Sequence, residues 1–278
     1  MARRTVLFSP GDQPAKLRQA PDSGADVVVF DLEDAVAPSR KPRARKLVRD
    51  VLAELDAACE VCVRVNPVGR DAARDIEVVL DGRLPDSVML PKATGADDVV
   101  TLDRTVREHA RPLPILPLVE TAQGVLAAEE IAAARPTDAV LFGAEDLAAD
   151  LGATRSEEGS EVLYARQRVV VAASSADVPA IDTPITDFED TDRLRRDAAR
   201  ARDLGYDGKM VIHPKQVPVV NDAFTPSFER IEWAERVLSA RDAAGDAGVF
   251  AVDGEMIDPP LVKQAERIVE RANAAGVR

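Results

Sequence analysis

Short apolar runs recur along the chain, separated by longer segments with apolar residues at helical spacing. There are eight runs, about 20 to 40 residues apart, at positions 6–8, 27–30, 61–65, 88–90, 115–119, 139–142, 178–181 and 210–212. Apolar runs that alternate with helical segments are typical of a parallel sheet. Eight repeats predict an α/β fold, the (β/α)8 TIM barrel, because a doubly wound open sheet usually has fewer strands and a nucleotide-binding fingerprint.

The pattern changes after the eighth run. A helix is predicted from Pro226 through about Arg241, then a glycine-rich turn at 243–248, and a last helix from Leu261. We therefore expect a barrel domain over residues 1–222 and a C-terminal helical extension over 223–278. The extension is too short to fold alone, so we expect it to pack on the barrel or on a neighbouring subunit.

Charge and hydropathy narrow the possible partners. The formal net charge is −13, which disfavours binding to nucleic acid or to an anionic membrane surface. No apolar run approaches the ~18 residues of a membrane helix, and the N-terminus lacks the apolar core of a signal peptide. These features predict a cytoplasmic protein.

The types of charged residue carry a second signal. Arginine outnumbers lysine 29 to 7, and 30 of the 49 acidic residues are aspartate. This bias predicts a halophilic protein, whose crowded acidic surface is tolerated because salt screens its self-repulsion. A high-GC genome is the alternative explanation for the arginine excess.

Ionisable residues follow nearly every apolar run, where a barrel of this type carries its active site. They are Asp31, Glu33, Asp34, Arg64, Lys92, Glu120, Glu145, Asp146, Asp182 and His213. The two cysteines, Cys59 and Cys62, are instead interpreted as buried thiols on a strand, because a zinc site would need two more soft ligands.

Glu120 and Asp146 are one βα unit apart, so they should face a common centre from adjacent strands. Two carboxylates with open positions for water and substrate are a common way to hold Mg²⁺. The alternative is that each carboxylate caps a helix or pairs with an arginine.

Three further residues have open interpretations. Arg64 needs an anionic partner at the end of an apolar strand, either a substrate carboxylate or Glu33 or Asp34. His213 either lines the pocket or simply ends the strand before Pro214. Lys92 could form a Schiff base or an ion pair. The sequence has no phosphate-binding loop, dinucleotide fingerprint, nucleophile elbow or zinc-protease motif.

Many blocks of the sequence resemble, in order, the citrate lyase β-subunit family within the HpcH/HpaI aldolases. They include "LFSPGD", "SGADVVVFDLEDAV", "VRVN", "LVETAQGVL", "FGAEDLAADLG", "GYDGKMVIHPKQV" and "DGEMIDPPLV", and they span residues 4–271. Two blocks depart from the family pattern, since "SPG" replaces a frequent "VPG" and "LPKATG" lacks the acidic residue that often follows the lysine. The chain is also shorter than typical malyl-CoA lyases.

The resemblance implies a (β/α)8 barrel that forms homo-trimers or homo-hexamers and acts on CoA or acyl-carrier thioesters. It implies that Glu120 and Asp146 bind Mg²⁺ and that Arg64 binds the carboxylate of a 2-oxo acid. Asp258 would be the catalytic acid/base that related lyases supply from an adjacent subunit. Glu33, Asp34, Glu120 and His213 are expected to contact substrate, and either Glu33 or a metal-bound water would deprotonate the substrate hydroxyl.

The expected activity is therefore magnesium-dependent cleavage or formation of a carbon–carbon bond between a 2-oxo acid and an acyl thioester. Malyl-, methylmalyl-, citramalyl- and citryl-CoA are candidate substrates. Three alternatives stay open: the β subunit of a citrate lyase complex acting on carrier-bound citryl, a malyl-CoA thioester hydrolase, and a non-catalytic paralogue.

Overall fold

The structure, a computed structural model, describes residues 2–245 and 248–278. Two positions of the predicted glycine-rich turn, 246 and 247, lie outside the described residues. The chain divides into two compact units, which are described separately below: one covers Arg3–Asn221, and the other contains Asp222–Arg278.

The first unit is a closed barrel of eight parallel strands in chain order, in which β8 pairs with β1. The predicted (β/α)8 fold is confirmed, and each strand contains or overlaps one of the eight apolar runs. The strands are β1 Thr5–Pro10, β2 Val27–Asp31, β3 Glu60–Arg64, β4 Ser87–Leu90, β5 Ile115–Val119, β6 Val140–Phe142, β7 Ala180–Asp182 and β8 Gly208–Val211.

Alternate residues of the strands point into the barrel and form its central core. These inward residues are mainly branched aliphatic side chains and methionines, namely Val6, Val27, Val29, Cys62, Met89, Leu116, Leu118, Ala139, Leu141, Ile181 and Met210. The residues between them point outward against the helices. Both faces of each strand are therefore buried, which is why the sequence shows continuous apolar runs rather than alternation.

Helices connect the strands and cover the outside of the barrel. In the barrel unit they are α1 Pro14–Gln19, α2 Lys41–Glu54, α3 Ala72–Val79, α4 Ala96–His109, α5 Ala122–Leu126, α6 Ala128–Ala133, α7 Ala144–Leu151, α8 Leu163–Ser175 and α9 Thr191–Leu204, and α10 Val217–Phe224 follows β8. Short 3-10 turns occur at Ala20–Ser23, Pro38–Arg40, Ser160–Val162 and Pro214–Gln216. Within the part of the chain that is described, we find no helix long and apolar enough to cross a membrane.

The second unit contains α11 Phe228–Ala244, a hairpin of β9 Phe250–Val252 and β10 Glu255–Ile257, and α12 Pro259–Ala274. Its two helices pack on one another and on the hairpin around a small apolar core that includes Ala234 and Ile257. The hairpin was not predicted from the sequence. Its signal was the dipeptide Asp253-Gly254, which takes positive φ angles of 52° and 86°, as a tight hairpin turn requires.

The cysteines are free thiols. Cys62 is fully buried in the barrel core, where burial raises the pKa of its thiol to about 12. Cys59 differs from the prediction, because it precedes β3 and is only half-buried. Neither thiol has the lowered pKa of a reactive cysteine.

Candidate active site

A cavity of about 300 Å³ opens at the carboxyl ends of the barrel strands. Its lining residues come from seven of the eight strands or the loops that follow them: Phe8, Pro10, Asp31, Asp34, Ala35, Arg64, Leu118, Glu120, Gly143, Ala144, Glu145, Asp146, Thr183, Pro184, Met210 and Ile212. Six of the ten ionisable residues predicted at the strand ends are therefore brought to one cavity: Asp31, Asp34, Arg64, Glu120, Glu145 and Asp146.

The inward rows of the strands explain why these side chains meet. Asp31 is two residues beyond the core residue Val29, Arg64 two beyond Cys62, and Glu120 two beyond Leu118. The same two-residue step places Thr183, and not Asp182, in the cavity. Asp182 points outward and is fully buried beside Arg166 and Lys209. The strand-end interpretation of Asp182 was thus wrong by one position, because neighbouring strand residues face opposite sides.

Arg64 forms a two-point ion pair with Asp31. Its Nε and Nη2 donate to the two carboxylate oxygens of Asp31 at 2.7 and 2.6 Å. Its Nη1 lies 3.0 Å from Glu33 Oε2, and its guanidinium stacks over the Phe8 ring at 4.9 Å. The predicted alternative partner, Glu33, is therefore present, while Asp31 is the two-point partner that the sequence analysis did not assign. Nη1 and the second N–H of Nη2 make no hydrogen bond within the described residues.

Glu33 and Lys92 form the second ion pair of the site. Lys92 Nζ hydrogen-bonds to Glu33 Oε1 and lies 3.3 Å from Asp34 and 3.9 Å from Asp146. Burial lowers the pKa of the Lys92 ammonium, but the hydrogen bond and charge of Glu33 outweigh it and the pKa is raised. A lysine that stays protonated is a poor Schiff-base nucleophile, so the ion-pair interpretation of Lys92 is the better one.

Glu33 itself is 3% exposed and does not line the cavity. Its Oε2 is buried without a hydrogen-bond partner within the described chain, and burial raises the pKa of its carboxyl above the ordinary value. Asp34 is exposed at the cavity mouth. Although burial acts against its ionisation, the charges of Lys92 and Arg64 hold its pKa below the ordinary value.

Glu120 and Asp146 lie on neighbouring units of the barrel. Glu120 follows β5, is 2% exposed, and accepts a hydrogen bond from the Lys92 backbone N–H at 2.8 Å. Asp146 lies in the first turn of α7 and is partly exposed. Burial, and next the negative charge of Asp146, raise the pKa of Glu120 to about 8. The two carboxylates therefore repel each other, and the nearby Lys92 ammonium offsets this repulsion only in part.

This charge balance suits a divalent cation. Two cationic side chains, Arg64 and Lys92, face a cluster of five carboxylates: Asp31, Glu33, Asp34, Glu120 and Asp146. Among the described residues no three histidines, cysteines or carboxylates come together as a complete metal cage. Mg²⁺ is commonly held by one or two carboxylates, with its other positions left to water and substrate oxygens. Glu120 and Asp146 fit that donor set.

His213 and Asp258 are both helix caps. His213 Nδ1 accepts the Lys215 backbone N–H at 3.1 Å, and its ring stacks on Phe188 with centroids 4.6 Å apart. It does not line the cavity, so its substrate contact stays a prediction. In the second unit, Asp258 Oδ1 accepts the Leu261 backbone N–H at 3.3 Å at the start of α12. This is the alternative role foreseen for it, and its role as acid/base also stays a prediction.

Several cavity residues were missed by the sequence analysis. Thr183 and Met210 belong to the inward rows of β7 and β8, and Phe8 belongs to that of β1. Their signal was the two-residue alternation along each strand, because a residue an even number of positions from a core residue faces the barrel interior. Gly143 gave no such signal, since its importance lies in how closely Glu120 approaches it.

Comparison with known proteins identifies the family of this chain. Residues 4–214 match the family model HpcH/HpaI aldolase/citrate lyase. The mitochondrial citramalyl-CoA lyase of Mus musculus is 40% identical in an alignment of 292 positions, which covers 98% of this chain and 86% of the relative. The citrate lyase subunit beta-like protein of Mycobacterium tuberculosis H37Rv is 40% identical, with 97% and 95% covered. The citrate lyase subunit beta of Leuconostoc mesenteroides subsp. cremoris is 34% identical, with 98% and 94% covered.

Solved structures are similar over most of the chain. The crystal structure of protein CitE from Mycobacterium tuberculosis in complex with magnesium, acetoacetate and coenzyme A has a TM-score of 0.82 and 40% identity, with 98% of both chains covered. The citrate lyase beta subunit of that organism with oxaloacetate and magnesium has a TM-score of 0.72, with 81% of this chain and 98% of the other covered. The resemblance in the sequence blocks is thereby confirmed: the chain belongs to the HpcH/HpaI aldolase/citrate lyase family.

Proposed function

We propose that this protein is a magnesium-dependent acyl-CoA lyase. It would cleave the bond between C2 and C3 of a 3-hydroxyacyl-CoA, numbered from the thioester carbonyl, or form the same bond in reverse. The observation that carries the proposal is the pair formed by the buried Glu120 and the partly exposed Asp146 carboxylates, beside Arg64 in one cavity of the barrel. Relatives named as citramalyl-CoA lyase and CitE bound to magnesium and coenzyme A support it.

Glu120 and Asp146 would hold the metal ion. When bound, Mg²⁺ supplies positive charge that stabilises the negative charge developing on the substrate oxygens. Glu120 is prepared for this role by its surroundings. Its Oε1 is oriented by the Lys92 backbone N–H, and burial raises the pKa of its carboxyl, so a neighbouring cation would favour its ionised form.

Arg64 would bind the carboxylate of the oxo acid. Its Nε edge is occupied by Asp31, and its Nη1 and Nη2 atoms keep N–H groups for a further acceptor. The two-point contact with Asp31 fixes the plane of the guanidinium, so the directions in which those N–H groups point are also fixed. Asp31 and Glu33 therefore act by orienting Arg64.

Two proton transfers complete the chemistry. In cleavage, the substrate hydroxyl on C3 passes its proton to a base, for which Glu33 is the candidate residue, as C3 becomes the carbonyl carbon of the oxo acid. C2, which stays with the thioester, gains a proton. Asp258 is our candidate for delivering that second proton, from a neighbouring copy of the chain, as the family resemblance implies. In condensation the same carboxylate would remove that proton.

The cavity also favours a particular oxo acid. Its apolar side is formed by Phe8, Leu118, Met210 and Ile212, whereas Arg64 is the only lysine or arginine among the described residues that line it. One cation suits one carboxylate, and an apolar wall suits a methyl group better than a second carboxylate. This arrangement supports pyruvate over oxaloacetate as the oxo acid, and hence citramalyl-CoA as the preferred thioester.

The test is an assay of the purified protein with Mg²⁺ and a panel of malyl-, methylmalyl-, citramalyl- and citryl-CoA, with oxo acid and free CoA measured separately. We expect pyruvate release from citramalyl-CoA to be fastest. Glu120→Gln and Asp146→Asn should each lower turnover at least ~10²-fold, a few kcal/mol of transition-state stabilisation. The matched changes Glu130→Gln and Asp97→Asn, at exposed positions outside the cavity, should have no effect.

Three results would contradict the proposal. Full activity in excess chelator would exclude the metal role. Free CoA released without loss of the hydroxy acid would indicate a thioester hydrolase. Oxaloacetate release confined to citryl groups on an acyl carrier would indicate the citrate lyase β-subunit role, which the Leuconostoc mesenteroides relative makes the second candidate.

A further inference from the structure

The backbone between β6 and α7 lies between the two proposed metal ligands. Gly143 is the N-cap of α7 and has no side chain with which to cap it. The first N–H groups of a helix have no partner within the helix. At Ala144, which is fully buried, that N–H instead donates to Thr183 Oγ1 at 3.0 Å. A threonine that follows β7 thus caps the helix that carries Asp146.

The main chain of Thr183 is held by a buried ion-pair network on the outer side of the barrel wall. The ammonium of Lys209, 0% exposed, donates to the Thr183 backbone carbonyl at 2.6 Å. The same ammonium contacts Asp182 and Asp197 at 2.6 and 2.5 Å. The Arg166 guanidinium also contacts both carboxylates, so two positive charges balance two negative charges. A fully paired buried network of this kind is rigid, so it gives the Thr183 main chain a fixed position.

We infer that Thr183 is a positioning residue for the metal site. Its hydroxyl fixes the segment from Gly143 to Asp146, and this segment sets the separation between the Glu120 and Asp146 carboxylates. The inference rests on the proposed function, because it assumes that these two carboxylates bind the cation.

The Thr183 hydroxyl matters because it accepts a hydrogen bond from a buried donor, the Ala144 backbone N–H. Replacing Thr183 by valine keeps the shape and removes the acceptor, which leaves the Ala144 N–H buried without a partner. The start of α7 must then move or take up water, and Asp146 moves with it. Loss of an outer-shell partner typically costs 10–100-fold in metal affinity. We expect the Kd for Mn²⁺, and for Mg²⁺ by competition, to rise about 10-fold in Thr183→Val.

The experiment measures Mn²⁺ binding by calorimetry without substrate for the wild type, Thr183→Val and Thr183→Ser. Serine keeps the hydroxyl and should restore wild-type affinity. Thr137→Val is the control for loss of a threonine hydroxyl, because Thr137 Oγ1 also makes a backbone hydrogen bond. It donates to Ile131 O at 2.8 Å, before β6 at the opposite end of the barrel. Circular dichroism melting of all variants checks that each is folded.

A raised Kd in Thr183→Val, restored by serine and absent from Thr137→Val, supports the inference. A Thr183→Val variant that binds Mn²⁺ as tightly as the wild type overturns it and leaves the proposed function intact. Equal weakening in Thr137→Val, or no rescue by serine, also overturns it. If the wild type binds no Mn²⁺ and needs no metal for activity, the metal role of the proposed function fails together with the inference.

Discussion

Gly143 and Glu120 are in direct contact across two strands of the barrel. A Cβ atom at position 143 would lie 2.6 Å from Glu120 Oε2 and 2.7 Å from Glu120 Cβ, closer than atoms can approach. The Glu120 carboxylate therefore occupies the space that any side chain at position 143 would need. This contact couples the end of β5 to the start of α7, which carries the other proposed metal ligand.

Gly143→Ala should consequently displace the Glu120 carboxylate. Because the other side of that carboxylate is fixed by the Lys92 backbone N–H, we expect turnover to fall at least ~10²-fold. Gly95→Ala is the matched control, since no atom lies within 4 Å of its added Cβ and its backbone is extended. Steady-state kinetics at saturating Mg²⁺ measure the effect. Wild-type turnover in Gly143→Ala would show that the contact is unimportant.

The raised pKa of Glu120 predicts a pH dependence of the metal-free protein. Burial and the charge of Asp146 raise this pKa from 4.5 to about 8, so between these values the folded chain holds a proton that the unfolded chain has lost. The resulting stability is fully present below about pH 4.5 and is lost as the pH rises through about 8. In chelator, the melting temperature of the wild type should fall relative to that of Glu120→Gln over this window.

Metal binding should show the opposite trend. Since the bound proton must leave before a cation can bind, Mn²⁺ affinity should increase from about pH 6 to about pH 8 and then level off. Calorimetric titrations in two buffers of different ionisation enthalpy would count the released proton. A difference in melting temperature between the metal-free wild type and Glu120→Gln that does not change with pH would contradict the raised pKa of Glu120.

The acidic composition predicts salt dependence. Between about 0.1 M and molar KCl, screening of like charges should raise the melting temperature of a chain with a net charge of −13. A variant with Asp97→Asn, Glu130→Gln and Glu157→Gln, all exposed acids, should respond less. A melting temperature that stays flat or falls across the KCl series would refute the halophilic interpretation.

The two proposed roles of Asp258 can be separated by the choice of substitution. Asparagine caps a helix about as well as aspartate but is not an acid, whereas alanine loses the cap at a cost of about 1 kcal/mol. If Asp258 is the acid/base, Asp258→Asn should be inactive and of normal stability. If it is only a cap, Asp258→Asn should be active and Asp258→Ala should be destabilised.

A mixing experiment then tests whether Asp258 acts on a neighbouring subunit. Inactive Asp258→Asn and inactive Glu120→Gln chains, refolded together, should regain part of the activity if the two residues come from different subunits. Self-mixed samples of each variant are the controls. Hybrids that assemble normally and remain inactive would mean either that one chain supplies both Asp258 and Glu120 to a site or that Asp258 has no catalytic role.

The sequence by itself determined the barrel, the order of its strands and the end of the barrel that carries the candidate site. A strand buried on both sides leaves an apolar run, eight runs leave little choice of topology, and the residue after each run must lie on the catalytic face. For this reason Arg64, Glu120 and Asp146 could be selected from the sequence, and they line one cavity.

Only the tertiary structure decided which side chains touch. Whether Asp182 or Thr183 faces the cavity depends on a one-residue alternation that a fully apolar strand does not display. Asp31 holds Arg64 because the register of β2 and β3 places them side by side, 33 residues apart in sequence. Gly143 leaves no room for a Cβ atom because Glu120 of the neighbouring strand fills the space beside it. Contacts between strands depend on register and inclination, which local sequence does not encode.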